Sequence, residues 1–149
     1  MEEHKIYNTF EKIINWASER SKSSKSYGTN ETLYIAEVHT LVMIGENPGI
    51  LQKELCQNIG VTKGRMSVII SHLQEKNLIE MRREQGIGCK IPIYLTSLGE
   101  TIFNNHNEQE MKMKTQIYEV LSRYSIKEID EFNDILEEVL VILKQYNVV

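Results

Sequence analysis

Apolar residues recur at helical spacing from the start of the chain. Ile6, Phe10, Ile13 and Ala17 are spaced four, three and four apart, which predicts a helix over residues 4 to about 20. Ser18 to Asn30 is rich in Ser, Lys, Gly and Asn and reads as a frayed helix end and a connector. Ile35, Val38, Leu41, Val42 and Met43 predict a second helix over about 34–46, stopped by Asn47-Pro48-Gly49. A short amphipathic helix follows from Ile50 to Ile59. Gly60 closes it, since glycine suits the left-handed position that ends a helix. Val61 points inward, and Thr62 is a good N-cap for a helix running to about Lys76. That helix buries Met66, Ile69, Ile70 and Leu73. Two short helices joined by a tight glycine turn make a helix-turn-helix.

Residues 78–84 and 90–95 then read as strands, with Ile91, Ile93 and Leu95 alternating with Pro92, Tyr94 and Thr96. Gly86-Ile87-Gly88 permits the turn between them. Pro92 lacks an amide donor, so the returning strand should be an edge or carry its proline on the open side. A two-stranded hairpin directly after a helix-turn-helix is a wing. Beyond it the chain turns helical again. Ser97-Leu98-Gly99-Glu100 fits a capping box, with Thr96 as the alternative cap, and the helix runs to about Arg123. Ser125-Ile126-Lys127-Glu128 is a clearer capping box, flanked by Tyr124 and Ile129 as a hydrophobic staple. In the last helix Ile129, Phe132, Leu136, Val139, Leu143 and Tyr146 form a heptad-like seam. The expected fold class is mainly α with a small β-hairpin wing: a winged helix-turn-helix core with long helices at both ends.

Composition narrows the picture. At 149 residues and 41% hydrophobic content, the chain is long enough to bury a core and too apolar for wholesale disorder. Its longest aliphatic run, Val139 to Leu143, is far short of the ~20 residues of a membrane span. The charged start Met1-Glu2-Glu3-His4-Lys5 shows no signal peptide. Cys56 and Cys89 stand far apart and imply neither a disulfide scaffold nor a cysteine zinc site. These features lead to the expectation of a cytoplasmic protein with no membrane partner. The net charge of −4 argues against nucleic acid on its own, but its distribution does not. Lys53, Lys63, Arg65, Lys76, Arg82, Arg83 and Lys90 outnumber four acids over residues 53–90, so that segment is +3 and the remainder −7.

From Leu33 to Gly99 the chain resembles the DNA-binding core of the MarR family of bacterial transcription regulators. The matching residues are Ile44-Gly45-Glu46-Asn47-Pro48-Gly49, then Leu55-Cys56-Gln57-Asn58-Ile59-Gly60-Val61-Thr62-Lys63-Gly64. Ser67, Leu73, Lys76, Leu78-Ile79, Tyr94-Leu95-Thr96 and Gly99 complete the pattern. The resemblance implies an N-terminal dimerisation helix and connector over 1–30. It implies a winged helix-turn-helix over 31–96 and C-terminal dimerisation helices over 97–149. Ile6, Phe10, Ile13, Ile129, Phe132, Leu136, Val139 and Leu143 are the residues expected at the dimer interface.

A recognition helix sets its N-terminal residues against base edges in the major groove. Here those are Thr62, Lys63, Gly64, Arg65 and Met66, with Ser67, Ser71 and His72 further along. Arg65 suits bidentate contact with guanine. Lys63, Ser67, the amides near Thr62, and Gln52 at the start of the preceding helix suit phosphate. The resemblance implies an arginine near the wing tip that enters the minor groove. This chain has Glu84-Gln85-Gly86-Ile87-Gly88-Cys89-Lys90 there instead, leaving Arg82, Arg83 and Lys90 for backbone contacts.

The expected partners are double-stranded DNA, a second copy of the chain, and a small-molecule effector. The effector crevice is expected between the first helix, residues 34–46 and the start of the helix after Thr96. The expected function is a homodimeric regulator, a repressor, reading a pseudo-palindromic operator. Two alternatives stand beside it. One is a winged helix used only for protein contact. The other is a metal- or redox-responsive regulator using His39 and His106, with Glu37 and Glu110 nearby, or Cys89. Cys56 reads as a small packing residue where two helices approach closely. No phosphate loop, nucleophile elbow or paired His-Glu zinc motif is present, so neither catalysis, a resident metal nor a cofactor is expected.

Overall fold

The computed structural model describes residues 2–83 and 90–146. The described chain is mostly helical. It forms two compact units, one of Asn15–Glu108 and one of the two chain ends, Met1–Ile14 and Gln109–Val149.

The first helix, α1 (Glu2–Lys22), has acids in its first turn and Arg20 and Lys22 in its last, matching the helix dipole. It is longer than the apolar spacing predicts. The connector after it is also more ordered than its composition suggests. β1 (Lys25–Ser26) pairs antiparallel with β2 (Thr32–Leu33), turning at Gly28, whose φ is +75°. Between the strands Tyr27 is buried, and the Asn105 side-chain amide donates to its carbonyl at 2.8 Å. A polar stretch therefore hides a core residue.

α2 (Ile35–Glu46) runs through the middle of the larger unit, with Val38, Leu41 and Ile44 fully buried. Asn47-Pro48-Gly49 ends it as expected. α3 (Gln52–Ile59) and α4 (Lys63–Glu75) form the helix-turn-helix, and α4 buries Met66, Ile69, Ile70 and Leu73. β3 (Ile79–Met81) and β4 (Ile93–Leu95) form the hairpin base with Ile79 opposite Leu95 and Met81 opposite Ile93. The strands are shorter than the alternation predicts. β4 is also not an edge: Ile50 bridges to Ile93 on its other side. Pro92 sits just before the strand, so its missing amide costs no ladder bond, and its carbonyl accepts from Arg82 N at 3.1 Å. The turn at residues 84–88 lies outside the described residues.

Of the two candidate caps, Thr96 caps α5 (Ser97–Leu121): its hydroxyl accepts from Gly99 N at 3.1 Å and donates to Asn77 O at 2.6 Å. α5 buries Gly99, Ile102 and His106. The Ser125 capping box forms as read. Ser125 Oγ accepts from Glu128 N at 3.3 Å, and Glu128 Oε2 accepts from Ser125 N at 2.8 Å, opening α6 (Ile126–Gln145). No residue of α1 or α6 is buried. No helix among the described residues is long and apolar enough to cross a membrane.

Candidate nucleic-acid interface

The turn before α4 is built by local chemistry. Gly60 adopts φ +74°, and its amide and that of Val61 both donate to Cys56 O. Thr62 is extended, and its hydroxyl accepts from Arg65 N at 3.3 Å. This cap starts the helix at Lys63 and leaves Lys63, Gly64 and Arg65 exposed on its first turn. Met66 does not join them. It is fully buried, because its side chain belongs to the stripe that packs α4 onto the core. Its assignment to the DNA surface is corrected accordingly.

The flanks of α4 are held by side chains from two other helices. Gln52 Nε2 on α3 donates to Ser67 Oγ at 2.7 Å, and Ser67 in turn donates to Lys63 O at 2.9 Å. The two expected phosphate ligands therefore bond to each other and brace the helix-turn-helix. On the other flank Glu37 of α2 is buried and ion-paired. Lys76 Nζ reaches its two oxygens at 3.2 and 3.1 Å and also donates to Thr32 O at 2.9 Å. His72 Nδ1 lies 3.2 Å from Glu37 Oε1 while half its side chain stays exposed. Glu37 also accepts from Tyr34 N at 2.9 Å, capping its own helix. The sequence placed Glu37 near a metal reading. Its carboxylate is instead taken up by α4 and the N-cap. Partners 35 and 39 residues away are not legible in the sequence.

At the hairpin base, Arg82 pairs with Glu80 and stacks on Tyr94 at 4.8 Å. Its guanidinium thus braces the hairpin. Arg83 and Lys90 are exposed. Cys89 and the wing tip lie outside the described residues. Cys56 packs against the core as a small residue.

The rings of His39 and His106 meet edge to face at 6.2 Å, and Tyr27 lies 5.6 Å from His106. No group of three or more His, Cys, Asp or Glu residues suited to a metal occurs among the described residues. Burial raises the Tyr27 hydroxyl pKa above the usual phenol value, with the Arg20 charge opposing it. A cleft of about 360 Å³ lies between the end of α2, the hairpin and the start of α5. Ile44, Gly45, Pro48, Tyr94, Leu95 and Phe103 contribute to its walls.

A capped helix-turn-helix with a hairpin behind it and long helices at both ends defines a winged-helix fold. The MarR family model matches residues 33–86, so the resemblance read from the sequence holds over that segment. Solved structures share the fold along nearly the whole chain. Streptococcus pneumoniae FabT, in complex with DNA, is 21% identical with TM-score 0.69, over 96% of this chain and 98% of that one. The zinc-responsive MarR family member ZitR of Lactococcus lactis is 16% identical with TM-score 0.78, over 94% and 99%. Wild-type ZitR in complex with DNA is 15% identical with TM-score 0.72, over 96% and 95%. None of the curated proteins compared with the chain matches it.

Proposed function

We propose that the chain is a cytoplasmic, sequence-specific DNA-binding regulator, a repressor, acting as a homodimer on a pseudo-palindromic operator. The observation that carries this reading is α4 itself. Its inner face is locked by four buried residues, while its first turn holds Lys63 and Arg65 out to solvent. Arg65 reads guanine, Lys63 holds phosphate, and Arg83 and Lys90 contact the backbone beside the hairpin. FabT and ZitR bind DNA with the same fold, which supports the reading. Apolar side chains exposed on α1, α5 and α6 support assembly of two copies, which sets two recognition helices about 34 Å apart. A small-molecule effector releases the operator by favouring a different spacing of the two reading heads.

A band-shift titration against the DNA upstream of the chain's own gene, at two salt concentrations, tests this. The expected result is dimer binding that weakens steeply with salt and falls about ten-fold or more in Arg65→Ala. Binding no tighter than to random DNA, with the protein folded, overturns it in favour of a winged helix used for protein contact.

A further inference from the structure

The outward face of α4 is open to solvent, and its role rests on the DNA-binding reading. At 100° per residue, the stripe opposite Met66, Ile69, Ile70 and Leu73 consists of Gly64, Val68, Ser71 and Glu75. Ser67 and His72, held by Gln52 and Glu37, flank it. Two members of the stripe have no explanation within the fold. Val68 is 55% exposed at the centre of the helix. A β-branched apolar residue there serves neither helix propensity nor packing. Gly64 is not among the positive-φ glycines, and a Cβ built on it meets nothing within 4 Å. Neither backbone nor space requires glycine, although glycine weakens a helix.

The two residues act together. Helical side chains lean toward the N-terminus, so the Val68 methyl groups lie over the turn that contains Gly64. A larger side chain at 64 would stand beside those methyls and cover them. Ser71 does not compete for the space, because its hydroxyl is turned back to Ser67 O at 2.9 Å. The result is a small apolar ledge above a notch, with Lys63 and Arg65 on the same turn to meet the flanking phosphates and bases. The major groove offers one apolar group at its base edges, the 5-methyl of thymine.

We infer that Val68 is a specificity-determining residue that packs on a thymine methyl group, and that Gly64 leaves the room for it. The test begins by selecting a duplex from a random pool with the full chain. Each thymine of that duplex is then replaced singly by deoxyuridine, which removes only the methyl. One thymine in each half-site is expected to lose about four-fold in affinity on replacement, the value of one buried methyl-sized group. Val68→Ala is expected to weaken the thymine duplex by a similar factor and to show no further loss with uracil. Gly64→Ala is expected to weaken the thymine duplex more than its uracil counterpart. Val68 is exposed and a Cβ at Gly64 meets nothing within 4 Å, so thermal melting is expected to show both variants folded. Uracil replacement without effect at every position overturns the assignment, as does Val68→Ala that keeps the full sensitivity to methyl loss. If no duplex is enriched at all, the DNA-binding reading fails and the assignment falls with it.

Discussion

Glu37 is the only buried carboxylate among the described residues. It is 3% exposed, yet its partners are His72 of α4, Lys76 at the C-cap of α4, and its own N-cap. A buried carboxylate left without its cation is costly, whereas a cation with a route to water is less so. The Lys76 side chain is 25% exposed and also bonds Thr32 O. Lys76→Met is therefore expected to cost about 2 kcal/mol, and Glu37→Gln distinctly less, since glutamine still accepts from Tyr34 N. Denaturant unfolding of the two variants checks the order. Gly99 is the opposite case to Gly64. A Cβ at Gly99 would lie 2.0 Å from Leu78 O, so the first turn of α5 could no longer sit against the hairpin. Gly99→Ala is expected to destabilise by about 2–3 kcal/mol, read as a drop in Tm.

Among the elements, α6 is held at its start by its own capping box. Hydrogen bonds from the Ser125 hydroxyl and amide hold the Glu128 carboxyl below the usual carboxylate range. A carboxyl lowered on folding contributes stability above its unfolded pKa, and that contribution is lost as pH falls through its folded pKa. The Tm difference between the wild type and Glu128→Gln is thus expected to favour the wild type at neutral pH and to shrink below the carboxylate range. A melting series across pH measures it. α4 is fixed differently. Its Thr62 cap is local, but its orientation comes from Gln52 on one side and Glu37 on the other.

For the whole molecule, the unpartnered apolar surface is the dominant fact. Phe132 and Ile135 on α6 are exposed at 51% and 55%, and Ile6 and Ile13 on α1 at 57% and 55%. Ile135, Val141 and Ile142 widen the apolar surface beyond the heptad seam of Ile129, Phe132, Leu136, Val139 and Leu143. Surface of that kind is covered by association. Sedimentation is expected to give a dimer for the wild type, and Phe132→Glu is expected to shift it toward monomer. A wild-type chain that sediments as a monomer at micromolar concentration would count against the proposed assembly.

Local physics made much of the molecule legible in the sequence. Gly60 needed the left-handed region, Thr62 and Ser125 carried acceptors that stop a chain from fraying, and the three-four spacing of Met66, Ile69, Ile70 and Leu73 declared a buried face. These effects act within a turn or two, so the helix-turn-helix and the order of elements could be read directly. What depended on distant residues could not. Tyr27 reads as part of a polar connector, and only the short pairing of Lys25–Ser26 with Thr32–Leu33 carries it into the core. Gln52 and Arg82 read as DNA contacts, and the folded chain adds contacts outside their own helix or turn, one to Ser67 and the other onto Tyr94, that the sequence does not show. On α4 the sequence spacing already turned Gly64 and Val68 outward, whereas Gln52 of α3 and Glu37 of α2 come to its two flanks only in the folded chain, because those pairs are brought together by packing between helices.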